Sequence, residues 1–194
     1  MQLARHLDEA DFPSRFGNFR IHSFSDSEGK EHICLAMGAL EGEENLPVRI
    51  HSKCLTGDTL GSLRCDCRSQ LEAALEYIAK EGRGMLLYLD QEGRGIGLLN
   101  KIKAYSLQDS GMDTVEANLH LGFGEDLRNY EVAAEILEYF GVKSVMLLTN
   151  NPAKIGGLKE HGIKVAGRIP LLCSPNEHNG KYLNTKKEKL NHML

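Results

Sequence analysis

A chain of 194 residues, 41% hydrophobic and 26% charged, has the size and composition for one substantial globular core. Its formal net charge of −4 argues against a general nucleic-acid binder, which carries a clear basic excess. The opening MQLARHLDEADFPSRFG has no continuous apolar region of a secretory signal. The longest apolar runs, MLLYL and VMLLT, are far too short to span a bilayer, so the expected location is the cytoplasm, without a membrane partner.

From about Phe16 to Leu40 the pattern is short and β-like: NFRIHSF, a polar SDSEGKE turn, then HICLAMGAL, which predicts a hairpin. LPVRIHS at 46–52 follows as another strand, with Arg49 and His51 on one face and Val48 and Ile50 on the other. His51 on its own would as readily be a satisfied surface histidine; the cysteine three positions later gives it weight.

That cysteine opens CLTGDTLGSLRCDC, in which Cys54, Cys65 and Cys67 fall within fourteen residues. In a reducing compartment clustered cysteines bind metal or do chemistry more often than they form disulfides, and a Cys65–Cys67 bridge would close a strained ring. Buried structural cysteines are the bland alternative, but Arg64, Asp66, Arg68, Gly57 and Gly61 make this a poor core segment. The reading is three thiolate ligands with an open fourth position, as in catalytic zinc sites.

The period then switches to helical: Leu71, Ala74, Leu75 and Ile78 predict a helix from about Ser69 to Gly82, its N-terminus aimed back at the cysteines. GMLLYL reads as a strand buried on both faces. It runs into DQEGRGIG, where glycines allow close approach to a ligand and Glu92 and Arg94 supply one charge of each sign; neither the Rossmann nor the Walker glycine pattern is present. A helix over about 98–110 is expected, with Leu99, Ile102 and Tyr105 inward, Tyr105 being also readable as plain core.

Residues 112–130 are polar and without a clean period, the kind of stretch that often carries function; Asp126 and Arg128 stand out in it. EVAAEILEYF at 131–140 predicts a helix, KSVMLLT a strand, Pro152 to about His161 a helix, and IKVAGRIPL a last strand. Thr149 and Lys154 flank a strand end and a helix N-terminus, a natural anion site. From Cys173 onward no strong period is visible, and the KKEK run reads as a solvated end. The expected class is α/β, mixed α+β: N-terminal β-hairpins leading into a mixed sheet flanked by helices, with ligands outside the C-terminal strand ends.

Four stretches, RIHSKCLTGDTLGSLRCDC, GRGMLLYLDQEGRGIGLLNKIKAY, DTVEANLHLGFGEDLRNY and LLTNNPAKI, together resemble the GTP cyclohydrolase II family across roughly residues 48–172. The resemblance implies hydrolysis of GTP to 2,5-diamino-6-(5-phospho-D-ribosylamino)pyrimidin-4(3H)-one, formate and pyrophosphate, the first step of riboflavin biosynthesis. It implies one zinc ion, Mg2+ on the triphosphate, a homodimer, a single catalytic domain over 1–172 and a partly flexible tail over 173–194. Position by position it implies Cys54, Cys65 and Cys67 as zinc ligands, and Arg49, Ile50, His51, Ser52, Lys53, Gln70, Glu92, Gly93, Arg94, Thr114, Thr149 and Lys154 as GTP-binding residues. Asp126 corresponds to the proton acceptor, Arg128 to the nucleophile and Tyr105 to a tyrosine that orients the base near the metal. Lys53 departs from the family pattern, which commonly has Glu there, and the dihydroxybutanone-phosphate synthase domain sometimes fused to the family is lacking, so a single activity is expected.

Three thiolates leave zinc formally negative, so a general base outside the cluster is expected, and Asp126 fits unless it pairs with Arg128 and loses basicity. A guanidinium is essentially always protonated, which favours electrostatic stabilisation of the α-phosphate over nucleophilic attack by Arg128. Arg49, Arg94 and Lys154, with Mg2+, are the expected compensation for the triphosphate. Two other readings stay open at this stage. A zinc-stabilised binding module predicts a fourth protein ligand and a basic face; an enzyme stopping at a formylated product differs only near the guanine C8.

Overall fold

The computed structural model describes residues 4–193, which form a seven-stranded mixed sheet of order β1-β2-β3-β5-β4-β6-β7. Strands β1 (Arg5–Ser14), β2 (Gly17–Ser25), β3 (Glu31–Met37) and β5 (Gly84–Leu89) pair antiparallel. Strands β4 (Leu46–Ser52), β6 (Val145–Leu148) and β7 (Val165–Ile169) continue the sheet in parallel with β5. The expected hairpin over 16–40 is β2–β3, and the β4–β5 crossover is made by helix α1 (Cys67–Glu81).

Burial on both faces follows the alternation of the strands. Met85, Leu87 and Leu89 of β5 join Val48 and Ile50 under helix α4 (Glu131–Tyr139) and helix α5 (Pro152–Glu160), with Ile136 and Leu158 fully buried there. Leu86 faces the other way and packs with Leu75 and Ile78 of α1. Each such aliphatic side chain contributes about 1.5–3 kcal/mol of burial, which is what holds the helices against the sheet. Because β4, β5 and β6 are parallel neighbours, their C-terminal ends open on the same edge.

The structure differs from the sequence reading in four places. Strand β1 is edge-lying and carries Arg5, Asp8, Glu9, Asp11 and Pro13, so it lacks the apolar alternation that announces a strand; charged residues and proline are how edge strands avoid further pairing. Helix α2 (Leu98–Asp109) is turned about its axis: Leu99 and Ile102 are 78% and 48% exposed, whereas Lys101 and Ala104 are buried. The face of α2 that is covered looks onto a polar cavity, so the helix hides a lysine and leaves leucine in solvent. Within the stretch that shows no period lies helix α3 (Thr114–His120), begun by a reciprocal capping box between Asp113 and Glu116. Finally, helix α6 (Gly180–Lys189) forms in the tail, where Lys186 of the KKEK run is buried.

Candidate active site

Cys54 follows β4 directly, and residues 55–59 make one wide helical turn that brings the chain back toward Cys65 and the first residue of α1, Cys67. Asp58 fixes this turn. Its carboxylate accepts from the Cys54 amide at 2.9 Å and the Tyr88 hydroxyl at 2.8 Å, and lies 3.0 Å from His51 Nε2. The Sγ atoms of Cys54, Cys65 and Cys67 lie within 4.8 Å of one another, with Cys54 and Cys65 at 3.8 Å. Gly57 is held here by space: a Cβ would come within 2.7 Å of the Cys65 sulfur and 3.1 Å of the Cys54 sulfur.

Electrostatics complete the fit. Hydrogen bonds from Cys65 and Cys67 push the Cys54 thiol down, helped by Lys101, while Cys65 is pushed up to about 11 and Cys67 well above its ordinary value by the same contacts. Three thiolates this close repel one another, and a divalent cation is what allows all three to ionise. Among the described residues no fourth His, Cys, Asp or Glu joins the group. Three converging thiols, free of disulfides, with a glycine making room beside them, fit a zinc ion that keeps one position open.

The cluster forms one wall of a cavity whose other walls come from the ends of β4, β5 and β6. Arg49 donates from Nη1 to the Leu148 carbonyl at 2.9 Å and from Nη2 to Gln70 Oε1 at 2.8 Å, and its buried Nε has no partner among the described residues. Gly93 and Arg94 both take left-handed backbone angles, with φ of 62° and 63°, a strained state for arginine of about 1–3 kcal/mol. Arg94 also keeps a buried Nη1 without a partner among the described residues. Lys154, placed by the Asn151 cap and Pro152 at the start of α5, donates to the Ile50 carbonyl at 2.6 Å. Burial, then the charges of Arg49 and Arg128, hold its ammonium well below the usual lysine range. Buried cationic donors left unsatisfied call for an anion.

Sixteen of the residues singled out from sequence line this cavity: Arg49, His51, Ser52, Lys53, the three cysteines, Gln70, Glu92, Gly93, Arg94, Tyr105, Thr114, Arg128, Thr149 and Lys154. Two do not. Ile50 points into the core, and only its carbonyl serves the site, through Lys154. Asp126 lies outside the lining and gives both carboxylate oxygens to Arg128, Oδ1 at 2.8 Å from Nε and Oδ2 in a closer contact with Nη2. Burial raises the Asp126 carboxyl, but the Arg128 bond outweighs it and holds the group below its ordinary value. Lys53 turns to Asp90 at 3.2 Å.

The family model for GTP cyclohydrolase II matches residues 4–170. The chain belongs to this family. Membership makes it an enzyme, a hydrolase of the riboflavin-biosynthesis type. A Picrophilus torridus protein named GTP cyclohydrolase-2 is 52% identical over 192 residues, 99% of this chain and 100% of that one. A Pseudomonas aeruginosa protein of the same name is 58% identical over 183 residues, 94% of this chain and 89% of that one. The Bacillus subtilis riboflavin biosynthesis protein RibBA is 56% identical over 94% of this chain, which matches 46% of its length. Among solved structures, RibBX, a two-domain 3,4-dihydroxy-2-butanone 4-phosphate synthase from A. baumannii, superposes with a TM-score of 0.51 at 19% identity over 87% of this chain and 41% of that one, a likeness of fold.

Several residues that the motifs of GTP cyclohydrolase II did not bring forward also belong to the site. Lys101 donates to Cys54 Sγ at 3.1 Å and to Glu92 Oε1 at 2.7 Å, while Glu92 Oε2 receives the Leu55 amide at 2.7 Å. Arg64 lies over the Tyr105 ring at 4.9 Å, and the Tyr105 hydroxyl is 3.1 Å from Thr56 Oγ1. From α6 come Tyr182, Lys186 and, beyond its end, His192; Lys186 donates to the buried Asp66 at 2.6 Å, and Asp66 receives Gln70 on its other oxygen, also at 2.6 Å. The i, i+3 placement of Lys101 beside Ala104, and the i, i+4 placement of Lys186 after Tyr182, were the available signals, but neither differs from an exposed helical lysine in sequence.

Proposed function

We propose that the protein hydrolyses GTP, bound as its Mg2+ complex, to 2,5-diamino-6-(5-phospho-D-ribosylamino)pyrimidin-4(3H)-one, formate and pyrophosphate, as a cytoplasmic homodimer without a nucleic-acid or membrane partner. One observation carries the reading: a three-sulfur cluster forms a wall of a cavity in which buried nitrogens of Arg49 and Arg94 are left without partners among the described residues. Cys54, Cys65 and Cys67 would hold the zinc ion, which when bound supplies Lewis acidity for hydrolysis at the guanine C8.

The remaining roles belong to the chain. Lys101 offsets the thiolate charge from 3.1 Å, and it stays protonated because Glu92 and Cys54 outweigh the cost of its burial. Tyr105, tied to Thr56 and covered by Arg64, orients the guanine beside the cysteines. Arg49, Arg94 and Lys154 receive the triphosphate. Arg128 stabilises charge at the α-phosphate as pyrophosphate leaves; burial opposes its protonation, but the Asp126 bond more than restores it, so a free nucleophilic nitrogen is not available. When the phosphate takes over Arg128, both Asp126 oxygens are released, and the carboxylate then accepts the proton of the attacking water.

Incubating the protein with GTP, Mg2+ and Zn2+ while measuring formate, pyrophosphate and the ultraviolet spectrum of the pyrimidine tests this reading. Equal release of formate and pyrophosphate is expected. Pyrophosphate without formate would overturn it.

A further inference from the structure

The β1–β2 hairpin carries a second convergence of donor atoms, none of which lines the cavity. His6 Nε2, Glu9 Oε2 and His22 Nδ1 lie within 4.8 Å of one another, at separations of 4.0 Å for His6–Glu9, 2.9 Å for His22–Glu9 and 3.4 Å between the histidines. Metal–ligand bonds of about 2.0–2.2 Å at tetrahedral angles place donor atoms roughly 3.3–3.6 Å apart. The observed separations bracket that edge.

A break in strand register creates this arrangement. Glu9 stands opposite His22 and His6 opposite Phe24, with the register shift falling between His6 and Asp8. In a regular strand, residues three apart point to opposite faces; the extra residue, Leu7, turns His6 onto the face of Glu9. Glu9 and His22 therefore meet as a cross-strand pair and His6 joins them from the next position along.

The surroundings orient the donors. Arg20 binds Glu9 Oε1 through Nε at 3.2 Å and Nη2 at 2.8 Å, which leaves Oε2 aimed at the histidines. The His6 ring stacks on Tyr139 at 4.9 Å, and the buried His22 ring meets Phe140 edge-on at 4.9 Å, both at the end of α4. Glu9 lies at the exposed side, open to the water that would complete a coordination sphere.

We propose that His6, Glu9 and His22 form a second metal site, which takes a divalent first-row transition ion such as zinc and clips β1 to β2 beside the C-terminal end of α4. Two imidazoles and one carboxylate suit zinc or its neighbours; magnesium and calcium require oxygen donors. Binding here is independent of GTP hydrolysis, so it stands or falls separately from the function proposed above.

The test is metal stoichiometry of the full chain, stripped with chelator and titrated with Zn2+ alone or Co2+ alone. Wild type is expected to bind two ions per chain, and His6→Gln and Glu9→Gln one each; Glu9 is exposed and His6 partly so, which keeps folding a separate question from binding. Cys65→Ser is expected to keep one ion, whose Co2+ form lacks thiolate-to-metal charge-transfer absorption. At a hundredfold excess over its Kd, Zn2+ should raise the Tm of Cys65→Ser by about 5 °C or more, and not that of the Cys65→Ser/His6→Gln double variant. No thiolate-free ion bound by Cys65→Ser, or a stoichiometry in both His6→Gln and Glu9→Gln equal to that of wild type, would overturn the proposal.

Discussion

Arg128 enters the cavity already held by both oxygens of one aspartate, and Leu127 between them donates its amide to the Arg94 carbonyl at 3.1 Å, so three charged side chains are set by one short loop. In Asp126→Asn the proposed proton acceptor is lost. Formate release is expected to fall by about 100-fold or more, with a smaller change in GTP affinity, as removal of a general base does; near-normal formate release in single-turnover assays would assign Asp126 to positioning Arg128 alone. Lys154 makes the pH argument at this scale. Its folded-state pKa is depressed by burial and by the nearby arginines, and a triphosphate raises it, so binding takes up a proton and affinity weakens as pH rises through the bound-state value. Calorimetry of GTP binding to zinc-free protein in buffers of different ionisation enthalpy should show that uptake, and Lys154→Met should abolish it and weaken binding at least tenfold. Identical heats across buffers for the wild type would count against proton uptake by Lys154 on binding.

Among the elements, α2 and α6 do what their sequences least announce. The inward face of α2 presents Lys101 and Tyr105 to the cysteines, so the helix is placed by polar partners more than by apolar burial. Helix α6 is anchored by Lys186 to Asp66, by Lys189 to Asp113 and Glu116 of the α3 cap, and beyond its end by the Met193 amide on the Asn150 carbonyl at 2.9 Å. It lies outside the 4–170 region that the family model matches, yet it closes one side of the cavity. Deleting residues 173–194 is therefore expected to leave the far-ultraviolet dichroism of the remaining chain native-like while raising the KM for GTP by about 10-fold or more, the scale of a lost charged hydrogen bond. An unchanged KM would show that α6 is only a cover.

For the whole molecule, the antiparallel half of the sheet and the parallel half meet at β5, and the strands whose C-terminal ends share one edge bring together residues from 49 to 154. The same compactness buries histidines. His32 and His192 are both pulled below the ordinary value of 6.5 by desolvation, His192 to about 3. Unfolded histidine takes up its proton first, so this stability is complete above about pH 6.5 and is lost as pH falls from there toward 3. Tm should decline between about pH 7 and pH 5, less steeply in His192→Asn; a flat profile would exclude these groups as the cause. Strands β2 to β7 were legible from apolar alternation or short apolar runs, α1 and α4 from a period of 3.6, α5 from Pro152 in its first turn, and the cysteines, Glu92–Arg94 and Thr149–Lys154 because they sit where such elements end. Strand β1 was hidden because an edge strand needs no apolar stripe, and helix α6 because the face it buries carries Thr185 and Lys186 and not an apolar stripe. Sequence alone determined the ligand chemistry, since thiolate, guanidinium and ammonium groups are properties of residue type. The tertiary structure alone decided that Lys101 and Lys186 are buried and that Leu99 is not, because those outcomes depend on which distant element supplies the partner; for Asp126 it chose the local pairing with Arg128 that the sequence had left open beside the base role.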